Sequence, residues 1–238
     1  DLALKCKKYG AKKLIVTGGC AQNIVAMSKI RPMFEDMHIP VAPTDAGSAL
    51  GAAAHSWARE TGNETGRLNW KSPYLGHDLS VDLNPKQIAK YLDKNKICGV
   101  ANGRAEWGPR ALGNRSLLGD PRYDIKDTVN TIKRRQKFRP FAPAILEEHA
   151  DEYFRGPMNR YMQFVARAKH DYKSVTHVDG TARVQLVEKT NTSILRNILE
   201  EWYDKTGVPM LLNTSLNIKG QPMVDNWEDA KEFMEKTL

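Results

Sequence analysis

The stretch that decides the fold class is residues 193–217, SILRNILEEWYDKTGVPMLLNTSLN. Residues 193–205 carry apolar side chains at the spacing of an amphipathic helix, and Gly207 is typical of the position at which a helix ends. The apolar run at 208–212 follows immediately and is typical of a buried strand. A helix that leads directly into a buried strand indicates a mixed α/β domain.

Elsewhere the chain shows the same mixture of helix and strand, in two parts. In the first part we predict a strand at 13–17 that ends at a glycine pair, and helices at 21–30 and about 46–59. In the second part the predicted helices are 85–94, 124–135 and 227–236, and the predicted strands are 97–101, 161–168 and 181–187. Residues 61–85 have little periodicity and hold several glycines and prolines, which predicts a linker or crossover.

The composition is that of a globular protein, with 41% hydrophobic and 27% charged residues. No run approaches the roughly 20 apolar residues that a membrane-spanning helix needs, and the first residues lack the pattern of a signal peptide. The three cysteines, Cys6, Cys20 and Cys98, are too few and too widely spaced for a disulfide framework or a thiolate metal cluster. We therefore expect a cytoplasmic protein without a membrane partner. Because the chain starts without Met, inside a predicted helix, we also expect it to be part of a longer protein.

The net charge of +8 is concentrated in one segment. Residues 104–139 contain ten Lys and Arg but four Asp and Glu, a local excess of six positive charges. Such a cluster is typical of a site for a phosphate-rich ligand or for nucleic acid, although a run of charge is often an ordinary solvated face. Several of these arginines stand among Gly, Pro and Asn, in the run GPRALGNR at 108–115, which a solvated face does not require. The anionic-ligand interpretation is therefore favoured.

Two candidate sites lie in the first part of the chain. Gly18 and Gly19 join a predicted strand to a predicted helix, where glycines let a nucleotide approach the backbone and a helix start offers N–H groups to an anion. The same pair is also an ordinary way to make a tight turn. Asp45 opens the next predicted helix, where it is either a metal-binding or catalytic carboxylate or simply an N-cap.

Four candidate segments lie in the second part, and each combines a rigid backbone with cationic or hydrogen-bonding side chains. Arginine forks suit bidentate contact with phosphate oxygens, and a lysine and an arginine that flank a turn can meet one anion. Asn and Ser after a strand lie where open α/β sheets bind ligands. The segments are 106–116 (EWGPRALGNRS), Lys133 with 139–143 (RPFAP), 177–183 (HVDGTAR) and 213–217 (NTSLN). Each of them taken alone is also compatible with a stabilising turn.

Together and in this order, these segments resemble the O-carbamoyltransferase family, which includes the NodU-type nodulation-factor enzymes and the antibiotic carbamoyltransferases. The resemblance extends through nearly the whole chain. It implies that residues 1–65 are the terminal piece of a carbamoyl-transfer domain with an actin/hexokinase-like ATPase fold. It further implies a linker at 66–84 and a YrdC-like α/β domain with a twisted sheet at 85–238.

The resemblance implies an ATP-dependent transferase. The YrdC-like domain would convert carbamoyl phosphate and ATP, with Mg²⁺, into carbamoyl-adenylate, and the first domain would pass the carbamoyl group to a hydroxyl of a small-molecule acceptor. By the same resemblance Lys133, Arg139 and Arg110 form the catalytic clamp on carbamoyl phosphate, and we expect them to converge on one anion. The residues that would bind the nucleotide or hold the carbamoyl group are Arg183, Asn213, Ser215, Gly18, Gly19 and Asn23.

The resemblance also implies an iron-type divalent metal in the transfer site, held by an H-x-x-x-H pair and by an aspartate that matches Asp45. None of the six histidines of this chain lies four residues from another. We therefore expect the pair in sequence that precedes Asp1. On this basis we expect the chain to activate the carbamoyl group without delivering it to an acceptor.

Two other functions remain open at this point. A YrdC-like fold with a basic surface also suits an RNA-modifying enzyme that makes threonylcarbamoyl-adenylate, although residues 106–116 are not the signature of that group. The basic segment 104–139 also suits a nucleic-acid-binding module without catalysis, which would bind RNA with a steep salt dependence. The resemblance favours the carbamoyltransferase and argues against a nucleic-acid partner.

Overall fold

A computed structural model describes residues 1–63 and 72–237, and the chain divides into two compact units. Asp1–Pro73 with Trp107–Pro109 form the first unit, and Tyr74–Glu106 with Arg110–Leu238 form the second. The helices are α1 (Leu2–Lys8), α2 (Ile24–Ile30), α3 (Asp45–Thr61), α4 (Pro85–Asn95), α5 (Lys126–Ile132), α6 (Ala150–Tyr153), α7 (Ile194–Thr206) and α8 (Trp227–Thr237). Within the described ranges, no helix has both the length and the apolar character required to cross a bilayer.

The strands are short, and within residues 1–63 and 72–237 they form four separate sheets. They are β1 (Lys13–Ile15), β2 (Asp36–His38), β3 (Tyr74–Asp78), β4 (Ile97–Ala101), β5 (Arg104–Glu106), β6 (Arg115–Gly119), β7 (Ala142–Leu146), β8 (Phe154–Arg155), β9 (Ala166–Ala168), β10 (Thr181–Ala182), β11 (Gln185–Val187) and β12 (Met210–Ser215). The mixed α/β class predicted from the sequence is therefore confirmed.

The first unit is organised around one parallel pair of strands, β1 and β2. Gly18, with a φ of 86°, makes the turn after β1, and its N–H donates to the carbonyl of Pro43 at 2.5 Å. That bond ties the glycine turn to the segment that leads into α3. Asn23 caps α2 by accepting the N–H of Ala26 at 3.0 Å.

The second unit is built on a five-stranded sheet with the order β11-β7-β12-β6-β4. β12 is antiparallel to both of its neighbours, β4 is antiparallel to β6, and β11 is parallel to β7. Two smaller antiparallel sheets belong to the same unit, one formed by β3 and β5 and the other by β8, β9 and β10. The strand predicted at 97–101 is confirmed as β4.

Both faces of the central sheet are covered, which explains why every residue of β6 and β7 is buried. Leu118 packs with Trp202 and Leu199 on the side of α4 and α7. The adjacent Leu117 packs with Val129 and Phe233 on the side of α5 and α8. Side chains that alternate between two apolar cores fix the register of the sheet.

The helix predicted at 193–205 is confirmed as α7. The hydroxyl of Ser193 accepts the N–H of Leu195 at 3.3 Å at the start of α7, and Gly207 ends the helix with a φ of 71°. The helices predicted at 85–94 and 227–236 are confirmed as α4 and α8. The helix predicted at 124–135 is confirmed but shorter, because α5 spans Lys126–Ile132.

Three predicted segments are wrong in part. The segment 61–85, predicted to be irregular, contains β3, because Tyr74–Asp78 pairs with β5. Local sequence does not reveal this distant partner. Residues 64–71 of the segment lie outside the described part of the chain. Residues 161–165 are not strand, because the side chain of Asn159 accepts the N–H groups of Tyr161 and Gln163 and turns the chain. Segment 181–187 is two strands in different sheets, β10 and β11.

Candidate anion-binding site

The polar segments singled out from the second part of the sequence meet at one end of the five-stranded sheet. Because β12 is antiparallel to both neighbours, its carboxyl end lies beside the amino ends of β6 and β7. Ser215 pairs with Ser116, and Asn213 pairs with Ala142. β11 is parallel to β7, so its amino end also lies there. The loops that carry the cationic residues enter the strands at this end.

Five cations belong to these loops, and we call Arg110, Lys133, Arg135, Arg139 and Arg183 the cation cluster. Burial, reinforced by the charges of Arg110 and Arg135, lowers the pKa of Arg183 to about 9. Burial, reinforced by the charge of Arg139, lowers the pKa of Arg135 to about 10. Burial also lowers the pKa of Arg110. These side chains therefore lie close enough to repel one another.

The cation cluster has no acidic partner among the described residues. None of its members forms an ion pair, and no carboxylate contributes to the lowered pKa values within it. Arg122 and Arg196, in the same unit, each contact two carboxylates. Neighbouring like charges that are partly buried and lack a counter-ion destabilise a fold, so their persistence is typical of a site that binds an anion.

Lys133 follows the last turn of α5, and its ammonium reaches the loop after β12. Nζ donates to the carbonyl and to Oδ1 of Asn217, both at 2.9 Å, to Oγ of Ser215 at 3.3 Å, and to the carbonyl of Ser215. Oγ of Ser215 donates in turn to Oδ1 of Asn217 at 2.7 Å. Burial, reinforced by the charge of Arg135, lowers the pKa of Lys133 to about 7. Lys133 therefore fixes the loop beside it, and its ammonium loses its proton near pH 7 in the folded chain.

Arg135 and Arg139 are joined through one buried amide. Nε of Arg135 donates to Oδ1 of Asn130 at 2.6 Å, and Nδ2 of Asn130 donates to the carbonyl of Arg139 at 3.0 Å. The guanidinium of Arg135 lies 4.4 Å from the ring centroid of Phe141. Its Nη2 is buried without a partner in the described structure, and the side chain of Arg139 is exposed. The guanidinium of Arg135 is thus held through Nε, while Nη2 remains without a hydrogen-bond partner among the described residues.

Glu106, the last residue of β5, shapes the loop that carries Arg110. Its Oε1 accepts the N–H groups of Leu112 and Asn114 at 2.7 Å and that of Arg115 at 3.3 Å. Its Oε2 is buried and has no partner in the described part of the chain, and burial raises the pKa of this carboxyl. Glu106 therefore positions the backbone around Arg110 and forms no ion pair with it.

Asn213 and Gln185 hold the same loop from β12 and β11. Nδ2 of Asn213 donates to the carbonyl of Ala111 at 3.2 Å and to Oε1 of Gln185 at 2.6 Å. Nε2 of Gln185 donates to the carbonyl of Leu112 at 3.1 Å. Oδ1 of Asn213 is enclosed and has no partner among the described residues. The structure thus shows Asn213 bonded to protein, and its contact with a ligand stays a prediction.

Arg115 lies in the same motif as Arg110 but has a different environment. It is completely buried, and its two terminal nitrogens donate at 2.8–3.3 Å to five backbone carbonyls, those of His77, Asn102, Gly103, Asn114 and Asp225. Both terminal nitrogens are therefore engaged by the backbone, and Nε is buried without a partner among the described residues. Of the two arginines in the motif, Arg110 is the one whose side chain has no bonded partner in the described structure.

The remaining predicted residues lie in the first unit. Gly18 forms the turn described above, and a side chain at Gly19 would meet no atom within 4 Å. Asn23 uses its side-chain oxygen to cap α2. Asp45 is exposed in the first turn of α3, and Thr44, not Asp45, occupies the N-cap position.

The described residues do not assemble the metal site that the resemblance implies around Asp45. Within residues 1–63 and 72–237, no group of three or more His, Cys, Asp or Glu side chains could hold a metal ion. A single exposed carboxylate lacks the nitrogen donors that a first-row transition metal requires. The metal role of Asp45 therefore stays a prediction.

Sequence reasoning did not single out Arg135, Gln185 or the role of Glu106. Arg135 stands in a run of basic residues beside Arg134, whose side chain is exposed and bonds to the carbonyl of Lys236. The sequence pattern does not show which of these two adjacent arginines belongs to the site. The signal for Gln185 was its position two residues after Arg183, a spacing that places alternate side chains of a strand on one face.

Comparisons with known proteins identify sequences that resemble this chain. A family model described as the carbamoyltransferase C-terminus matches residues 89–238, and one described as the carbamoyltransferase N-terminus matches residues 3–54. A solved structure of full-length HypF in a phosphate- and nucleotide-bound form is 19% identical with a TM-score of 0.48, and covers 65% of this chain and 24% of that one.

Three curated proteins illustrate the similarity. Nodulation protein NolNO of Sinorhizobium fredii is 37% identical over an alignment of 253 positions, which covers 93% of this chain and 37% of that protein. Nodulation protein U of Bradyrhizobium diazoefficiens is 36% identical over 89% of this chain and 40% of its own length. Protein MJ1058 of Methanocaldococcus jannaschii is 33% identical over 94% and 42%, respectively. The chain thus spans about two fifths of the length of each of these relatives.

Proposed function

The chain belongs to the carbamoyltransferase family, and on that premise we propose that its second unit binds carbamoyl phosphate and ATP and forms carbamoyl-adenylate. In this proposal the activated carbamoyl group then passes to a hydroxyl of a small-molecule acceptor. The observation that carries the proposal is the cation cluster without acidic partners at one end of the central sheet.

The charge of the substrates explains why such a cluster is needed. Carbamoyl phosphate and the triphosphate of ATP bring several negative charges into one site, and their repulsion opposes the reaction. Arginine and lysine donors that are fixed beforehand offset this repulsion without reorganising as the reaction proceeds. In the proposed complex Arg110, Arg183 and Arg135 bind phosphate oxygens, and Mg²⁺ that accompanies ATP shares the remaining charge.

The proposed reaction balances with one molecule of water. The carbamoyl group of carbamoyl phosphate separates from its phosphate, which leaves as inorganic phosphate after water has supplied an oxygen. The freed carbamate oxygen attacks the α-phosphorus of ATP, and pyrophosphate leaves as the new C–O–P linkage forms. The products are carbamoyl-adenylate, phosphate and pyrophosphate in equal amounts, and no side chain serves as a covalent nucleophile.

The residues of the protein divide the work in this proposal. Lys133 holds Ser215 and Asn217 in place and adds its charge to the site. Glu106 keeps the loop of Arg110 in the geometry that the phosphate needs. In the first unit, Gly18 and Gly19 would lie against a nucleotide and Asp45 would serve the transfer step, as the resemblance implies. No step of the activation described above depends on these three residues.

Product stoichiometry tests the proposal. We expect the chain, mixed with carbamoyl phosphate, ATP and Mg²⁺, to release pyrophosphate and phosphate at a ratio of one to one, and to release no pyrophosphate when carbamoyl phosphate is left out. Arg183→Gln should lower the rate of pyrophosphate release by at least about tenfold, because a charged hydrogen bond is worth about 1.5–3 kcal/mol. Release of pyrophosphate at the same rate with and without carbamoyl phosphate would contradict the proposal.

A further inference from the structure

His177 stands at the start of the tight turn that leads to Arg183. Its backbone N–H donates to the carbonyl of Thr181 at 2.7 Å, and the N–H of Gly180 donates back to the carbonyl of His177 at 2.9 Å. Thr181 and Arg183 are partly exposed on either side of the completely buried Ala182. The ring of His177 contacts the hydroxyl of Thr181, and the charge of Arg183 contributes to the lowered pKa of that ring, so the ring and the guanidinium are neighbours.

The hydrogen bonds of this turn determine the tautomer of His177. Oδ1 of Asp179 lies 2.7 Å from Oγ1 of Thr181, and hydrogen bonds from Thr181 lower the pKa of this carboxyl, so it is ionised and can only accept. The hydroxyl proton of Thr181 is therefore committed to Asp179. Oγ1 must accept from Nδ1 of His177, which lies 3.0 Å away. The neutral ring thus carries its proton on Nδ1 and a lone pair on Nε2.

Nε2 supplies what the cation cluster lacks, a hydrogen-bond acceptor. Guanidinium and ammonium groups only donate. Oδ1 of Asn213 is an acceptor, but it is enclosed. Nε2 of His177 has no hydrogen-bond partner in the described part of the chain, and burial lowers the pKa of the ring, with Asp179 opposing this shift and Arg183 adding to it. The ring therefore stays neutral and able to accept at neutral pH.

We propose that Nε2 of His177 accepts a hydrogen bond from the amino group of carbamoyl phosphate and thereby selects this substrate over acyl phosphates that lack the donor. The inference rests on the proposed function, since it names a specificity-determining residue of the same site. Acetyl phosphate carries the same phosphate but has a methyl group in place of the amino group. It therefore binds the cations equally well and leaves Nε2 unpartnered.

Two substitutions distinguish the role of Nε2 as an acceptor from the role of the His177 side chain in the turn. His177→Asn retains a donor at the position of Nδ1 for Thr181 but removes the acceptor, whereas His177→Gln retains an acceptor near the position of Nε2. Calorimetric titration with carbamoyl phosphate and with acetyl phosphate gives the preference of each protein. We expect the original protein to prefer carbamoyl phosphate by about tenfold, the worth of one hydrogen bond to a neutral partner. The Asn variant should lose the preference, and the Gln variant should keep most of it.

The pH dependence of the preference supplies a second readout. A protonated ring cannot accept, and burial lowers the pKa of the ring from its usual value of 6.5. The preference of the original protein should therefore fall only as the pH is lowered below about 6.5, while that of the Gln variant stays flat. The charged groups that face the ring, Arg183 and Asp179, and Arg167 behind Asp179, keep their charges over this range. Because both ligands carry the same phosphate group, its ionisation affects both affinities alike and cancels in their ratio.

The outcomes distinguish this inference from the function on which it rests. An unchanged preference in the Asn variant, or an equal loss of both ligands, would overturn the role of His177 and leave the proposed function intact. Failure of the original protein to bind either acyl phosphate would contradict the proposed function. A preference for carbamoyl phosphate that disappears in the Asn variant and returns in the Gln variant would establish the inference.

Discussion

The ammonium of Lys133 lies 2.9 Å from both the carbonyl oxygen and the side-chain oxygen of Asn217. This pair joins the end of α5 to the loop after β12, two elements that are 84 residues apart in sequence. A lysine expected to contact a substrate is therefore also a part of the framework around the site. The two roles make different predictions for stability and for ligand binding.

The first prediction compares Lys133 with Arg139. Lys133→Met should lower the free energy of unfolding by about 1–3 kcal/mol, because it leaves partly buried oxygens of Ser215 and Asn217 without their donor. Arg139→Ala should change it by less than about 0.5 kcal/mol, because Arg139 is exposed. Both variants should bind carbamoyl phosphate more weakly. Urea unfolding and calorimetry on the two variants decide the point, and equal stability losses would show that Lys133 is not structural.

The second prediction concerns pH. Burial holds the pKa of Lys133 at about 7, against 10.5 for an ordinary lysine. Between these values the unfolded chain binds a proton that the folded chain has released, so the free energy of unfolding should rise with pH in this window. Below about pH 7 both states are protonated, and this contribution to the slope disappears. Urea unfolding at a series of pH values should show a smaller slope for Lys133→Met, and equal slopes would contradict the lowered pKa.

A bound anion should reverse the same shift. Negative charge beside Lys133 favours the ammonium and raises its pKa, so anion binding at about pH 8 should take up protons. Calorimetry in two buffers with different ionisation enthalpies measures this uptake directly. In Lys133→Met the uptake should decrease. An uptake that is the same in both proteins would assign the proton to another group.

Much of the second unit follows from local sequence, and α7 with β12 shows why. The apolar spacing of 193–205, the cap at Ser193 and the glycine at 207 are all local signals, and tertiary packing agrees with them. β3 could not be predicted in this way, because it exists through pairing with β5 across 26 residues or more. The strand predicted through residues 161–165 failed for a local reason, since the side chain of Asn159 bonds to the backbone ahead of it.

The site was partly predictable for a similar reason. Arg110 and Arg183 stand in glycine-containing motifs that mark them in the sequence, whereas Arg135 stands in an ordinary basic run. The distinction between Arg110 and Arg115 depends on burial and on the carbonyls that only the folded chain brings to Arg115. Sequence therefore indicated where the cations gather, and the fold determines which of them remain without partners.

The third prediction concerns Gly113, in the loop of Arg110. Its φ is 127°, and an added Cβ would lie 2.6 Å from Cβ of Leu195 and 2.9 Å from Oγ of Ser193. Gly207 also has a positive φ, but no atom lies within 4 Å of an added Cβ. Gly207→Ala should cost about 1–2 kcal/mol from backbone strain alone. Gly113→Ala should cost at least about 2 kcal/mol more and should weaken anion binding, because the clash displaces the loop. If urea unfolding gave similar losses of stability for Gly113→Ala and Gly207→Ala, the start of α7 would be able to move away from the added Cβ at little cost.

The fourth prediction concerns metal. Asp45 is exposed, and no neighbouring ligands join it in the described structure. The chain should therefore bind Fe²⁺ or Mn²⁺ weakly, and Asp45→Asn should not alter that binding. Metal titration followed by calorimetry, with both proteins at the same concentration, gives the comparison. Stoichiometric binding that is lost in Asp45→Asn would show that further ligands join this carboxylate.

The central claim is that the cation cluster binds the anionic groups of the substrates, and calorimetric titration with carbamoyl phosphate tests it most directly. Three proteins are compared at one ionic strength: the original chain, Arg183→Gln, and Arg155→Gln, which removes an exposed arginine of β8 outside the cluster. We expect saturable binding to the original chain and to Arg155→Gln with equal affinity. Arg183→Gln should bind about ten- to a hundredfold more weakly while remaining folded, because it loses a charged hydrogen bond to the phosphate. Equal affinity in all three proteins, or no binding to the folded original chain, would contradict the claim.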